Sequence, residues 1–206
     1  MPSGKSVGYV VWLFHHVLEV YTALVHAYWD SMMEAFPCAE CRLHGQEYLA
    51  AHPGLISSTE FHDSVNQRLG KPRWKPDNRY RVPSAPKAAL VALVRYLAHP
   101  WVYQTDQAAF ASPTHISRWM EWLIKLQKAM SSSTHPLFKS FAQDRLAKLV
   151  ENPAQKLERW SNHPDLYFQD LKLALQGIYE TDVNLVYEKV AKHVAVQLLK
   201  EEDCNC

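Results

Sequence analysis

The chain has 206 residues, a formal net charge of +1 at pH 7 and 48% hydrophobic residues. A charge so close to zero gives no reason to expect a nucleic-acid partner. No apolar run approaches the roughly 20 residues of a membrane span, so we expect no membrane partner. With only six glycines and many good helix formers, the composition predicts an all-α protein.

Residues 7–35 are predicted to form two helices. This stretch contains no proline, and its apolar residues recur at roughly helical spacing. One helix of nearly thirty residues is long for a globular protein, so we expect a break near Thr22 or Asp30. The apolar residues with this spacing are Val11, Phe14, Leu18, Val25 and Trp29.

Two shorter helices are predicted next. The third helix is expected over residues 37–51, because Pro37 suits a first helical position and a His-Pro-Gly breaker follows residue 51. The fourth is expected to begin with a capping box formed by Ser57 and Glu60. It should end at Gly70, a good residue for a left-handed helix end.

The second half of the chain is also predicted to be helical, after a polar linker over residues 77–86. We therefore divide the chain into a bundle over 7–80, a helical region of unknown role over 85–200 and a tail over 201–206. Pro100 is expected to end the first helix of the second region. The helices predicted there cover residues 86–98, 113–130, 136–150, 164–177 and 181–200.

The four cysteines form two local pairs, Cys38 with Cys41 and Cys204 with Cys206. In a structural disulfide framework the cysteines would be more widely spaced, so that the disulfides close long loops. These two local pairs therefore suggest two redox-active sites. If Pro37 opens a helix, Cys38 lies in its first turn, where the helix dipole favours a thiolate. Cys41 would lie one turn further along and be better shielded.

Two other interpretations of the first pair stay open at this point. Cys38, Cys41 and His44 could supply three ligands to zinc, although no second ligand pair follows at zinc-finger spacing. The two cysteines could also be buried structural residues.

Three motifs resemble those of the Erv/ALR family of FAD-linked sulfhydryl oxidases. Residues 62–74, HDSVNQRLGKPRW, are similar to the family's His-Asn-x-Val-Asn-x-x-Leu-Gly-Lys-Pro-x-aromatic signature, with Asp63 in place of its first Asn. Gly8, Trp12 and His16 resemble its opening Gly-x-x-x-Trp-x-x-x-His. Residues 36–44, FPCAECRLH, resemble its aromatic-Pro-Cys-x-x-Cys segment. The motifs occur in the family's order within residues 7–80.

The resemblance implies a helical bundle that holds FAD between its helices. It implies an enzyme that forms disulfides in protein dithiol substrates and passes electrons through Cys38, Cys41 and FAD to molecular oxygen, giving hydrogen peroxide. We predict that Cys38 exchanges with substrate, because the first helical turn is the exposed one, and that Cys41 then faces the flavin. We also expect a homodimer and no metal site. The residues that the resemblance implies for FAD binding are Gly8, Trp12, His16, Cys41, His44, His62, Val65, Asn66, Leu69, Lys71 and Trp74.

The tail pair, Cys204 and Cys206, is similar to the Cys-x-Cys shuttle that some members of the family carry on a flexible tail. The alternative is a pair of adventitious thiols. For the whole chain, the alternative function is a non-enzymatic helical interaction protein with zinc at Cys38, Cys41 and His44.

The sequence also suggests a compartment. The apolar run over residues 10–14 has a weak basic flank and no small-residue cleavage site, so we do not interpret it as a signal peptide. Shortened gaps between the motifs and the unfamiliar second region suggest a viral member of the family. We expect it in the host cytoplasm or virion, ahead of the mitochondrial intermembrane space and the endoplasmic reticulum.

Overall fold

A computed structural model describes residues 5–36, 38–75, 78–102, 112–163 and 165–175. These residues are mostly helical, and no β-strand occurs among them. The predicted all-α class is therefore confirmed. None of the described helices is both long enough and apolar enough to cross a bilayer.

The predicted break in the first helical stretch lies at Thr22. Helix α1 spans Lys5–Tyr21, a 3₁₀ turn spans Val25–Tyr28, and α2 spans Trp29–Glu34. The Thr22 hydroxyl oxygen accepts a hydrogen bond from the N–H of Leu24 at 3.2 Å, a local bond that favours a turn over a continuing helix. Asp30, the other candidate for the break, lies within α2.

Helix α3 spans Ala39–Ala51, so the prediction that it begins at residue 37 was wrong. Cys38 has an extended backbone and is the N-cap, one position before the first turn. Its sulfur accepts a hydrogen bond from the N–H of Cys41 at 3.2 Å, and this bond satisfies one of the free donors at the helix start. Pro37 itself lies outside the described residues.

Helix α4 spans Ser58–Arg68 and has the predicted ends. Both hydrogen bonds of the capping box between Ser57 and Glu60 are present. Gly70 follows the helix with a φ of +68°, a left-handed conformation that glycine adopts without strain.

The second region begins with α5, which runs through Pro100 rather than ending there. Pro100 has no N–H to donate to the carbonyl of Tyr96, which predicted a helix end. Packing of α5 against α1 holds the helix together, and the buried hydroxyl of Tyr167 donates to the nearby carbonyl of Leu97 at 2.9 Å. The elements of this region are α5 (Ala85–Val102), α6 (Pro113–Ser131), α7 (Pro136–Phe141), a π-helical segment (Ala142–Leu146), α8 (Ala147–Val150), α9 (Pro153–Asn162) and α10 (Asp165–Ala174).

Most predicted helices of this region are present, and α9 was not predicted. Asn152 and Pro153 end the preceding helix as expected, but Pro153 also opens α9 at a first-turn position, where its missing N–H costs nothing. The helix predicted over residues 181–200 lies outside the described residues.

One hydrophobic core runs through both predicted regions. Helix α1 packs along α5 and also contacts α4, whereas α2 packs against α3 and α6. A continuous cluster of buried side chains includes Leu18 of α1, Met32 of α2, Leu93 of α5 and Trp122 of α6. The second region therefore supports two helices of the first region. These are α1, which contacts α4, and α2, which packs against α3, the helix that follows Cys38.

Candidate functional site

Cys38 and Cys41 form a disulfide at the start of α3, with their Cα atoms 5.3 Å apart. Both residues are half-buried. The chain leading into this turn is held in place by Arg42, whose guanidinium donates to the carbonyl of Phe36 at 3.0 Å. The disulfide is thus fixed at a helix N-terminus, where the dipole favours negative charge on a released sulfur.

A cleft lies between α1, α2, α3 and α4, with Cys41 in its wall. It has a volume of about 430 Å³, which includes the part open to solvent. Its walls are mainly apolar and aromatic. Five of the residues predicted to bind a cofactor line this cleft: Gly8, Trp12, Cys41, His44 and Val65.

Other residues of the cleft were not predicted from the sequence: Met32 and Met33 of α2, Phe36 after it, and Phe61 and Arg68 of α4. Arg68 follows Val65 by three residues on one helix, so helical spacing alone could have identified it. The α2 residues gave no such signal, because spacing within one helix does not show which of its faces packs against the next helix.

Two glycines leave room around the cleft. Gly8 is buried in α1 and contributes backbone alone to the wall. Gly45 lets α3 approach its neighbours closely, since a Cβ there would overlap the sulfur of Met33 and lie 3.2 Å from the ring of Phe61. Because Met33 also lines the cleft, Gly45 helps to keep the methionine side chain in its present position.

His44 is the polar residue of the wall with an unmet hydrogen-bonding group. Its Nε2 atom is buried and has no hydrogen-bond partner. Burial, aided by the positive charge of Arg68, lowers the pKa of His44 below its ordinary value, so the ring is neutral at pH 7. A buried polar atom without a partner is uncommon, which makes Nε2 available to a polar ligand atom.

Four aromatic rings extend from the cleft in direct succession. Trp12 stacks on His62 at 4.3 Å with an interplanar angle of 7°. His62 Nδ1 and His16 Nε2 share a hydrogen bond of 2.9 Å, and His16 stacks on Trp74 at 3.9 Å and 2°. The Nε2 atom of His62 is buried without a partner. These four residues, here called the ring ladder, were all predicted to bind the cofactor.

The ladder has no gap between its two outermost rings, His16 and Trp74. With 3.9 Å between the centroids of His16 and Trp74, no further ring fits between them. At the end of the ladder nearest the cleft, no ring fits between Trp12 and His62 either, because these two rings lie directly on each other. A planar ligand group would therefore have to displace one of these rings to stack within the ladder.

The remaining predicted residues lie on α4 and just after it, outside the cleft wall. Asn66 is buried and Leu69 is half-buried. The N–H of Lys71 donates to the carbonyl of Asn66 at 2.8 Å. Cys204 and Cys206 lie outside the described residues, so the shuttle stays a prediction, as does the homodimer.

Two buried histidines of α1, His16 of the ring ladder and its neighbour His15, predict a loss of stability in mild acid. Burial lowers the pKa of His15 from 6.5 to about 3, and burial, together with the charges of His62 and His15, lowers the pKa of His16 well below 6.5. In the unfolded chain both protonate below about pH 6.5, so the unfolded state binds more protons. The stability that the two neutral histidines contribute is complete above that pH, and it is lost as the pH falls towards their pKa values in the folded protein.

The free energy of unfolding should therefore drop by about 2–3 kcal/mol between pH ~7.5 and pH ~5.5. Urea denaturation at the two pH values measures the change. His15→Phe removes one of the two titrating groups and should roughly halve the difference. An equal stability at both pH values would contradict the assignment of two neutral buried histidines.

Within the described residues, no group of three or more His, Cys, Asp or Glu side chains is placed to hold a metal ion. Cys38 and Cys41 are bonded to each other in this structure, so zinc binding there would first require their reduction. In comparisons with known proteins, no family model, no curated protein and no solved structure matches the chain.

Proposed function

We propose that this protein is an FAD-dependent thiol oxidase, which forms disulfides in protein dithiols and passes the electrons to oxygen. The observation that supports the proposal most strongly is the position of the disulfide beside the cleft. Cys41 of the Cys38–Cys41 disulfide lies in the wall of an aromatic, mainly apolar cleft. The three sequence motifs within residues 7–80, which occur in the same order as in the Erv/ALR family, also support the proposal.

The residues present suit a flavin ring. Trp12 and Phe61 offer aromatic surface, Val65 offers apolar surface, and His44 Nε2 is a buried polar atom without a partner. These residues would hold the ring beside Cys41. The ring ladder suits the rest of FAD less well in its present arrangement, because His16 and Trp74 are already in contact. Bound FAD would supply a two-electron acceptor that oxygen regenerates.

The first step is thiol–disulfide exchange between the substrate and the Cys38–Cys41 disulfide. A substrate thiolate attacks Cys38 sulfur, a new S–S bond forms, and the bond between Cys38 and Cys41 breaks, so Cys41 leaves as a thiolate. The second substrate thiolate attacks the mixed disulfide and releases Cys38. The substrate is then oxidised by two electrons and the cysteine pair is reduced by two.

The pair returns to the disulfide by giving up two electrons and two protons, which leave with oxygen as hydrogen peroxide. Cys41 is positioned for this step because it lies in the cleft wall. The helix start favours a thiolate at Cys38, whose sulfur already accepts the N–H of Cys41. The neutral His44 adds no positive charge to the wall.

The test is the absorption spectrum of the purified protein after incubation with FAD and gel filtration. We expect a protein-bound flavin band near ~450 nm, as for any bound oxidised flavin, at close to one FAD per chain. A protein that elutes colourless would contradict the proposal. Riboflavin, which lacks the pyrophosphate and adenosine of FAD, is the matched ligand that tests the ring site alone.

A further inference from the structure

Among the described residues that line the cleft, Arg68 is the one with a charged side chain at pH 7. The other ionisable groups of this wall are His44 and Cys41, and no aspartate or glutamate belongs to it. An arginine guanidinium keeps its positive charge across the physiological pH range, whereas His44 is neutral. The wall therefore carries a positive charge that no carboxylate of the wall balances.

The position of the Arg68 guanidinium relative to α3 follows from its effect on that helix. Cys41 and His44 lie one turn apart on α3, and both line the cleft. The charge of Arg68 helps to lower the pKa of His44, so the guanidinium lies within electrostatic reach of this face. Within the described part of the chain, Arg68 forms no ion pair with a carboxylate. Its charge can therefore act on the sulfur of Cys41.

The other charged groups near Cys41 lie outside the cleft wall. Neither α1 nor α2 contributes an ionisable side chain to the described wall. On α3, Glu40 and Glu47 are exposed, so water and salt screen their negative charges. The guanidinium of Arg42 is bonded to a backbone carbonyl at 3.0 Å and does not line the cleft. Arg68 is thus the cation that shares the wall with Cys41.

We propose that Arg68 stabilises the thiolate of Cys41 and so assists thiol oxidation. Its role in turnover rests on the proposed function. When a substrate thiolate attacks the sulfur of Cys38, the electron pair of the broken S–S bond goes to Cys41, which leaves as a thiolate. A positive charge in the same wall stabilises this anion, and a thiol of lower pKa leaves faster. Arg68 accepts no proton and forms no covalent bond in the step.

The charge effect is tested without any flavin, in a protein whose single cysteine is Cys41. Serine replaces Cys38, Cys204 and Cys206, the other three cysteines of the chain. Because the thiolate is the reactive form, the rate of alkylation by iodoacetamide between about pH 5 and pH 10 gives the pKa of the Cys41 thiol. Arg68→Gln should raise this pKa by roughly 0.5, a moderate effect because Arg68 is exposed to water. Arg68→Lys, which keeps the charge, should restore most of the difference.

Arg73→Gln is the matched control, because Arg73 is an exposed cation that does not line the cleft. It should leave the pKa of Cys41 unchanged. A second measurement needs no change at Arg68. Raising the KCl concentration from about 0.05 M to about 0.5 M should raise the pKa of Cys41 in the protein that keeps Arg68, and should raise it less in Arg68→Gln. An equal pKa with and without Arg68, or an equal rise in Arg73→Gln, would overturn the proposal.

The consequence for turnover is tested on the FAD-loaded protein with both cysteines of the pair intact. Arg68→Gln should oxidise dithiothreitol roughly two- to threefold more slowly at pH 7, recover at higher pH, and be rescued by Arg68→Lys. A raised pKa of Cys41 with an unchanged rate at pH 7 would overturn the role in turnover. A wild-type protein that binds no FAD would contradict the proposed function, and the alkylation of Cys41 would still decide whether Arg68 stabilises its thiolate.

Discussion

Replacing Cys41 by serine is expected to abolish thiol oxidation. Cys41 is the sulfur of the pair that lies in the cleft wall, and without it no disulfide can form at the start of α3. The rate of oxygen consumption with dithiothreitol should fall by roughly a thousandfold or more, as for loss of a nucleophile in other covalent mechanisms. An oxygen electrode measures the rate on the FAD-loaded protein.

Cys38→Ser should be equally inactive, yet its absorption spectrum should differ. It leaves a free Cys41 in the cleft wall, so a thiolate beside bound flavin should give a long-wavelength absorption band. Cys41→Ser should lack the band, since Cys38 does not line the cleft. The opposite result would exchange the two roles, and turnover by either single variant would contradict the mechanism.

Gly8→Leu is expected to block flavin binding while the protein stays folded. Gly8 contributes backbone to the cleft wall, so a leucine side chain at this position would occupy space within the cleft. Glycine is the weaker helix former, so the change should not destabilise α1 through its helix propensity. We expect the dissociation constant of FAD to rise by more than about tenfold, measured by quenching of flavin fluorescence.

Gly8→Ala is the matched control, because it makes the same gain in helix propensity with a much smaller side chain. It should weaken FAD binding far less than Gly8→Leu does. Circular dichroism would check that both variants keep the helical content of the wild type. Normal FAD binding by a folded Gly8→Leu protein would show that the flavin does not lie in this cleft.

Local signals in the sequence predicted most helix ends correctly. The capping box of Ser57 and Glu60 and the left-handed Gly70 depend on residues close in sequence, and both are present. The continuation of α5 through Pro100 could not be predicted in this way. It depends on Tyr167 and on the packing of α5 against α1, which are distant in sequence.

The candidate site, like the helix ends, could be predicted from the sequence only in part. The spacing of residues along α1 and α4 was enough to predict that Trp12 and Val65 line one site, because residues spaced by three or four lie on the same face of a helix. It could not predict that His16 and Trp74 would stack directly on each other. Nor could it predict the bond from Trp74 to Asp63, because the path of an irregular segment such as residues 71–75 depends on tertiary contacts.

We expect the disulfide at Cys38 and Cys41 to deliver electrons to a flavin in the adjoining cleft. The decisive experiment is to mix the FAD-loaded protein with dithiothreitol in the absence of oxygen and then to admit air. The flavin absorbance should be lost on mixing and should return in air, and one hydrogen peroxide should form for each dithiothreitol oxidised. If dithiothreitol bleaches the flavin of the wild type no faster than that of Cys41→Ser, the disulfide does not deliver electrons to the flavin.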